Sequence, residues 1–175
     1  NALIQILGIE GIEKVIVIGL SSGGGVAQLL LQEHAERVEH VVFSHCGILE
    51  RSGDAEKQLA KLLRLVRLLP LFVTRRILLR RTTGTVPTSS KWVELHNGYF
   101  REAAGHIEKD MIIRFLQSGL ETRRSYTFKP EVLASWPGKI LLLGSKGGPA
   151  AFGSLGKLQA RYPNATTHVF EEGGH

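Results

Sequence analysis

Residues Lys14 to Leu31 read K-V-I-V-I-G-L-S-S-G-G-G-V-A-Q-L-L-L, and no other stretch constrains the fold as tightly. Val15, Ile16, Val17 and Ile18 form a continuous β-branched run of the kind that makes a strand buried on both faces. A glycine-rich turn follows at once, and then an apolar segment long enough for a helix. Ser21 falls at the corner, inside Gly19-Leu20-Ser21-Ser22-Gly23. The flanking glycines are expected to let the backbone turn sharply and hold the serine in an exposed, strained position. The helix would aim its N-terminal amides at the same point, so the Ser22 N–H is the candidate donor to a developing oxyanion.

Two other readings of a glycine-rich strand-to-helix turn fail here. A dinucleotide-binding turn needs Gly-x-Gly-x-x-Gly, but Ser21 stands two residues after Gly19. No acidic residue ends the next strand, which runs to Ser44. A phosphate-binding loop needs Gly-x-x-x-x-Gly-Lys-Ser/Thr, which is absent.

The rest of the chain alternates as a parallel sheet demands. A helix near 1–8, a strand at 14–19, a helix at 23–34 and a strand at 38–44 are expected. Helices fill the middle, and then come a strand at 139–144, a helix at 152–162 and a strand at 166–171. In the middle, Leu59, Leu62, Leu63, Val66 and Leu69 recur at helical spacing, with Lys57, Lys61 and Arg64 on another face and Pro70 ending the run. Lys57 to Arg81 holds eight Lys or Arg and no acidic residue, which accounts for much of the net charge of +6.

That basic stretch reads either as a solvated helix face or as a surface for a protein or an anionic membrane. Nucleic acid is not expected, because only Phe72 interleaves an aromatic ring with the basic residues. The hydrophobic fraction of 43% is ordinary for a globular chain, and no apolar run is long enough to span a bilayer. The lone Cys46 allows no internal disulfide and has no metal-ligand spacing around it; it reads as a small buried residue in a reduced, cytoplasmic setting. Nothing in the sequence calls for a metal or cofactor.

Strand, Gly-x-Ser-x-Gly turn and helix together form a nucleophile elbow, and with it the chain resembles the α/β-hydrolase superfamily. Val38 to Phe43 matches the strand after the elbow helix, Ile140 to Gly144 the strand before the usual acid, and Pro163 to His175 the last strand and histidine loop. The resemblance implies a partial α/β-hydrolase fold, a parallel sheet flanked by helices with an inserted helical cap. Its parts would be a first core segment at 1–47, the cap at 48–130 and a second core segment at 131–175. It also implies that strands and an oxyanion loop normally preceding the elbow are missing, leaving a sheet edge unpaired.

What the resemblance implies for chemistry is a serine hydrolase acting on a small ester or related acyl substrate through a Ser21 acyl-enzyme. His175, after Gly173-Gly174, matches the catalytic histidine. The acid is the exception: relatives carry aspartate three residues past the glycine of Gly144-Ser145-Lys146-Gly147, and here that position is Gly147, with Lys146 beside it. Loss of the acid in a serine triad costs on the order of 10⁴ in turnover, so impaired catalysis is expected. Glu50 and Asp54 are too far along the loop after Ser44 to substitute persuasively. Glu171 and Glu172 are too near His175, and Asp110 reads as a cap-helix residue that either pairs with a nearby arginine or lies on an exposed face. His45 reads as lining the pocket floor or as a partly buried structural histidine, and His96 and His106 read as cap surface residues. A narrower similarity, in L-L-P-L-F-V-T-R-R-I-L-L (68–79), the following Thr-Val-Pro and L-Q-A-R-Y-P-N-A (158–165), points to the maspardin branch and implies a catalytically deficient protein-binding module. Unlike that branch, this chain keeps Gly-Gly-His at its end.

Overall fold

The computed structural model describes residues 2–83, 92–146 and 149–171. The chain divides into two compact units, one formed by the described residues up to Leu49 together with those from Phe128 onward, the other by those of Glu50–Thr127.

The first unit is built on four parallel strands in the order β1-β2-β3-β4: β1 (Val15–Leu20), β2 (Val38–Ser44), β3 (Lys139–Ser145) and β4 (Thr166–Phe170). The expected strands are found within one residue at each end. Pairing runs Leu20↔Ser44, Ser44↔Leu143 and Ser145↔Phe170, so the C-terminal ends of all four strands share one edge of the sheet. The helices of this unit are α1 (Ala2–Ile9), α2 (Ser22–Glu33), α7 (Pro130–Ser135) and α8 (Pro149–Arg161), with a 3-10 turn at Ala35–Arg37. Helix α8 begins three residues before the expected start, since Pro149 needs no amide partner in a first turn.

The core follows from the apolar faces of these elements. Ala27, Leu30 and Leu31 of α2 and Leu155 and Leu158 of α8 cluster with Val38, Val41 and Phe43 of β2 and Leu142 of β3. Phe43 stacks on Tyr162 at 5.3 Å between ring centroids. Each such large side chain contributes about 1.5–3 kcal/mol by leaving water. Trp136 donates its indole N–H to the Val38 carbonyl at 2.7 Å, and its ring lies where a side chain at Gly138 would project. β1 pairs only with β2 among the described residues, and Ile16, Ile18 and Leu20 alternate on an exposed face.

The second unit holds α3 (Gly53–Leu68), α4 (Leu71–Thr83), α5 (Val93–His106) and α6 (Lys109–Ser125), and no strand among its described residues. Leu63 and Val66 of α3 pack with Ile112 and Leu116 of α6, with Leu59 and Leu62 at the margin. Leu69, expected within the helical stripe, instead lies beyond the helix end: it is extended (φ −77°, ψ 145°), as the residue before a proline tends to be.

Candidate active site

Ser21 links β1 to α2 with φ 53° and ψ −119°, a backbone conformation that a non-glycine residue adopts only when its surroundings impose it. The surroundings are visible on both sides. The Ser21 N–H donates to the Ser44 carbonyl at 3.0 Å, carrying the β1–β2 ladder one residue past the strand, and the Ser21 carbonyl accepts from the Gly24 N–H at 3.1 Å. Ser21 is also the N-cap residue of α2, yet its side chain makes no capping hydrogen bond. A serine at that position ordinarily spends its hydroxyl on the helix amides, from an extended backbone. Ser21 has neither that backbone nor that bond.

The glycines around Ser21 have different reasons from those expected. A Cβ at Gly19 would sit 2.8 Å from the Gly23 carbonyl oxygen and 2.9 Å from the Ala27 Cβ, so its absence lets α2 lie against the end of β1. A Cβ at Gly23 would meet nothing outside its own helix, and the positive φ of the turn belongs to Ser21 itself. The second tight position is Gly24, whose missing side chain leaves room for Cys46 Cβ and Sγ.

Behind the elbow, α2 is fastened to the loop after β2 by Gln28, which is fully buried (0% exposed). Its amide nitrogen donates to the Gly24 carbonyl at 3.1 Å and the Gly47 carbonyl at 2.9 Å, and its oxygen accepts from the Leu49 N–H at 2.8 Å. Sequence reasoning passed over Gln28, although one polar residue inside A-Q-L-L-L signals a buried hydrogen-bonding role. In the same loop His45 has φ 46°, donates its N–H to the Leu143 carbonyl at 3.0 Å and places Nδ1 3.0 Å from the Ser44 hydroxyl. Cys46 is buried, and burial pushes its thiol up to about 11, which keeps it protonated at neutral pH.

At the ends of β3 and β4, the Lys146 N–H donates to the Phe170 carbonyl at 3.0 Å, and Lys146 Nζ reaches both carboxylate oxygens of Glu171 at 2.6 and 2.7 Å. Lys146 therefore does not stand as a lone positive charge beside the expected acid position, and Glu171 is spent on it. Gly147, Glu172 and His175 lie outside the described residues. Asp110 pairs with Arg114 at 2.7 Å on α6, and Glu50 and Asp54 belong to the second unit. His96 packs on Phe100 in α5 and His106 is exposed. Among the described residues no three His, Cys, Asp or Glu side chains gather to hold a metal ion. A hollow of about 190 Å³ in the first unit lies at the other end of the sheet, between Trp136, Lys139 and Tyr162.

The Ser22 and Gly23 N–H groups open α2 and have no acceptor one turn back within the helix. No acidic residue occupies the first turn of α2 to offset its positive end.

No protein-family model matches the sequence, and no curated protein matches it significantly. Solved structures match the fold. A carboxylesterase from Nitrososphaera gargenis is 15% identical with a TM-score of 0.70, over 99% of this chain and 62% of its own. An esterase from Exiguobacterium antarcticum is 15% identical with a TM-score of 0.71, over 98% of this chain and 63% of its own. An α/β-hydrolase enzyme, MGS-M2, from a deep-sea metagenome library is 15% identical with a TM-score of 0.64, over 97% of this chain and 61% of its own. The chain thus spans about three-fifths of the length of these structures and has a partial α/β-hydrolase fold.

Proposed function

We propose that this chain is the elbow-bearing part of a serine hydrolase that cleaves an ester or related acyl substrate through a Ser21 acyl-enzyme. The observation that carries the reading is the Ser21 backbone at φ 53°, with a hydroxyl that makes no capping bond although it stands at the N-cap. A fold shared with esterases supports it. Ser21 Oγ attacks the acyl carbonyl and passes its proton to His175. The oxyanion is held by the Ser22 N–H and the positive end of α2. As the intermediate collapses, His175 protonates the leaving oxygen, and a water activated by the same imidazole then releases the acid from Ser21. In the sequence Gly147 stands where the resemblance implies the acid, and on this reading His175 receives no orienting carboxylate from that loop and turnover is slow. This reaction draws on no metal or cofactor.

Restoring the acid tests this. Gly147→Asp in the folded protein is expected to raise the rate of p-nitrophenyl ester hydrolysis by about 10² or more, set against the roughly 10⁴ that an acid contributes in a complete triad. The gain should vanish in the Ser21→Ala background. A folded Gly147→Asp protein that hydrolyses no faster than the parent would count against the assignment.

A second reading is favoured by the exposed basic face of α3 and α4: a catalytically deficient, maspardin-like cytoplasmic module that contacts a protein or membrane surface. It keeps the fold and dispenses with Ser21 chemistry.

A further inference from the structure

The second unit displays its basic residues in a particular way. Packing of Leu63 and Val66 against α6 turns Lys57, Lys61, Arg64 and Arg67 of α3 to solvent. Helix α3 stops at Leu68 because Leu69 is extended before Pro70, and α4 starts at Leu71. The corner so formed exposes two large apolar side chains, Leu68 at 83% and Phe72 at 72%, with Leu65 exposed one turn back. Arg76 and Arg80 follow Phe72 at i+4 and i+8 and are exposed, so one line along α4 carries a ring and then two guanidinium groups.

Along the corner itself, from Lys57 to Arg80, the charge has one sign. Arg75 is committed to the Ile107 carbonyl at 2.9 Å, but from Lys57 to Arg81 no carboxylate offsets the rest. On the neighbouring elements Glu56 pairs with Arg124 and Asp110 with Arg114; Asp54, Glu108 and Glu121 are the remaining acids of α3 and α6 and their caps, and Glu94 and Glu102 are exposed on α5. An acidic protein or a nucleic acid would be met by the charge alone and gives no reason for Leu68 and Phe72 at the tip. A lipid surface uses both, with apolar side chains entering the headgroup boundary and cations facing acidic headgroups.

We propose that the α3–α4 corner docks on an anionic lipid surface, with Leu68 and Phe72 inserted and Lys61, Arg64, Arg67, Arg76 and Arg80 facing the headgroups. Charge complementarity selects an anionic surface, and the exposed apolar tip selects lipid. Among the described residues no helix is long and apolar enough to cross a membrane. The docking is independent of whether Ser21 reacts.

Co-sedimentation of the protein with phosphatidylcholine vesicles, with and without about a third phosphatidylserine, tests the docking. Binding is expected only to the anionic vesicles, weakening as salt rises. Leu68→Ser/Phe72→Ser and Arg64→Gln/Arg67→Gln/Arg76→Gln/Arg80→Gln change exposed positions, and unchanged thermal melting would establish that each remains folded. Each is expected to bind at least about tenfold more weakly, in line with the per-residue contributions of basic and apolar side chains at interfaces. Phe72→Trp should gain a blue-shifted emission on anionic vesicles, quenched by brominated lipid. No binding by the parent protein, equal binding to phosphatidylcholine alone, or either multiple variant binding like the parent would overturn the proposal. So would equally tight binding to polyglutamate or DNA that ignores Leu68→Ser/Phe72→Ser.

Discussion

Ser21 holds a backbone conformation that costs on the order of 1–3 kcal/mol for a residue with a side chain, and contacts on both sides keep it there. Ser44 and Gly24 hold its backbone, and Cys46 fills the space that Gly24 leaves under the elbow. The state of Cys46 therefore bears on the elbow. Its folded pKa of about 11 exceeds the ordinary 9.0, so above pH 9 the unfolded chain gives up the thiol proton that the folded chain keeps. The thiol's contribution to stability is intact below pH 9 and is lost as pH rises from there toward 11, by up to about 3 kcal/mol. Urea unfolding from pH 8 to 11 measures it, with Cys46→Ala as the reference, whose stability should decline less over that interval. At neutral pH, Cys46 should resist iodoacetamide until the protein unfolds.

At the scale of elements, the seating of α2 on β1 and on the loop after β2 depends on two glycines of different kinds, Gly19 and Gly24. Gly24→Ala would press a methyl into Cys46 and should destabilise the protein by about 1–3 kcal/mol. Gly23→Ala meets open space and replaces a flexible residue within a helix, so it should leave stability unchanged or raise it by about 0.5–1 kcal/mol. Paired denaturant melts distinguish the two. The elements themselves were legible, because the β-branched run at Val15–Ile18 and the helical spacing from Leu59 to Val66 are local signals. Which glycine touches what was not, since Gly23-Gly24-Gly25 reads the same at all three positions and only the path of β2 decides. Gln28 belongs with them: its partners at Gly47 and Leu49 exist only once the loop after β2 folds back on α2.

Across the whole molecule, four parallel strands bring the residues that follow them to one edge of the first unit: Ser21, His45, Lys146 and Glu171. Ser21 could be read from the chain because its motif is contiguous. The Lys146–Glu171 pair could not, because it depends on the Ser145↔Phe170 register, which joins segments far apart in sequence. Gly147 and His175, which the resemblance assigns to the acid position and the base, lie outside the described residues. The proposed chemistry therefore rests on the reactivity of Ser21. A fluorophosphonate probe, with adducts mapped by mass spectrometry and Ser21→Ala as the control, measures it most directly. A covalent adduct on Ser21 is expected, absent from the Ser21→Ala protein; a folded protein that takes up no probe, or takes it up equally without Ser21, would rule out a reactive Ser21.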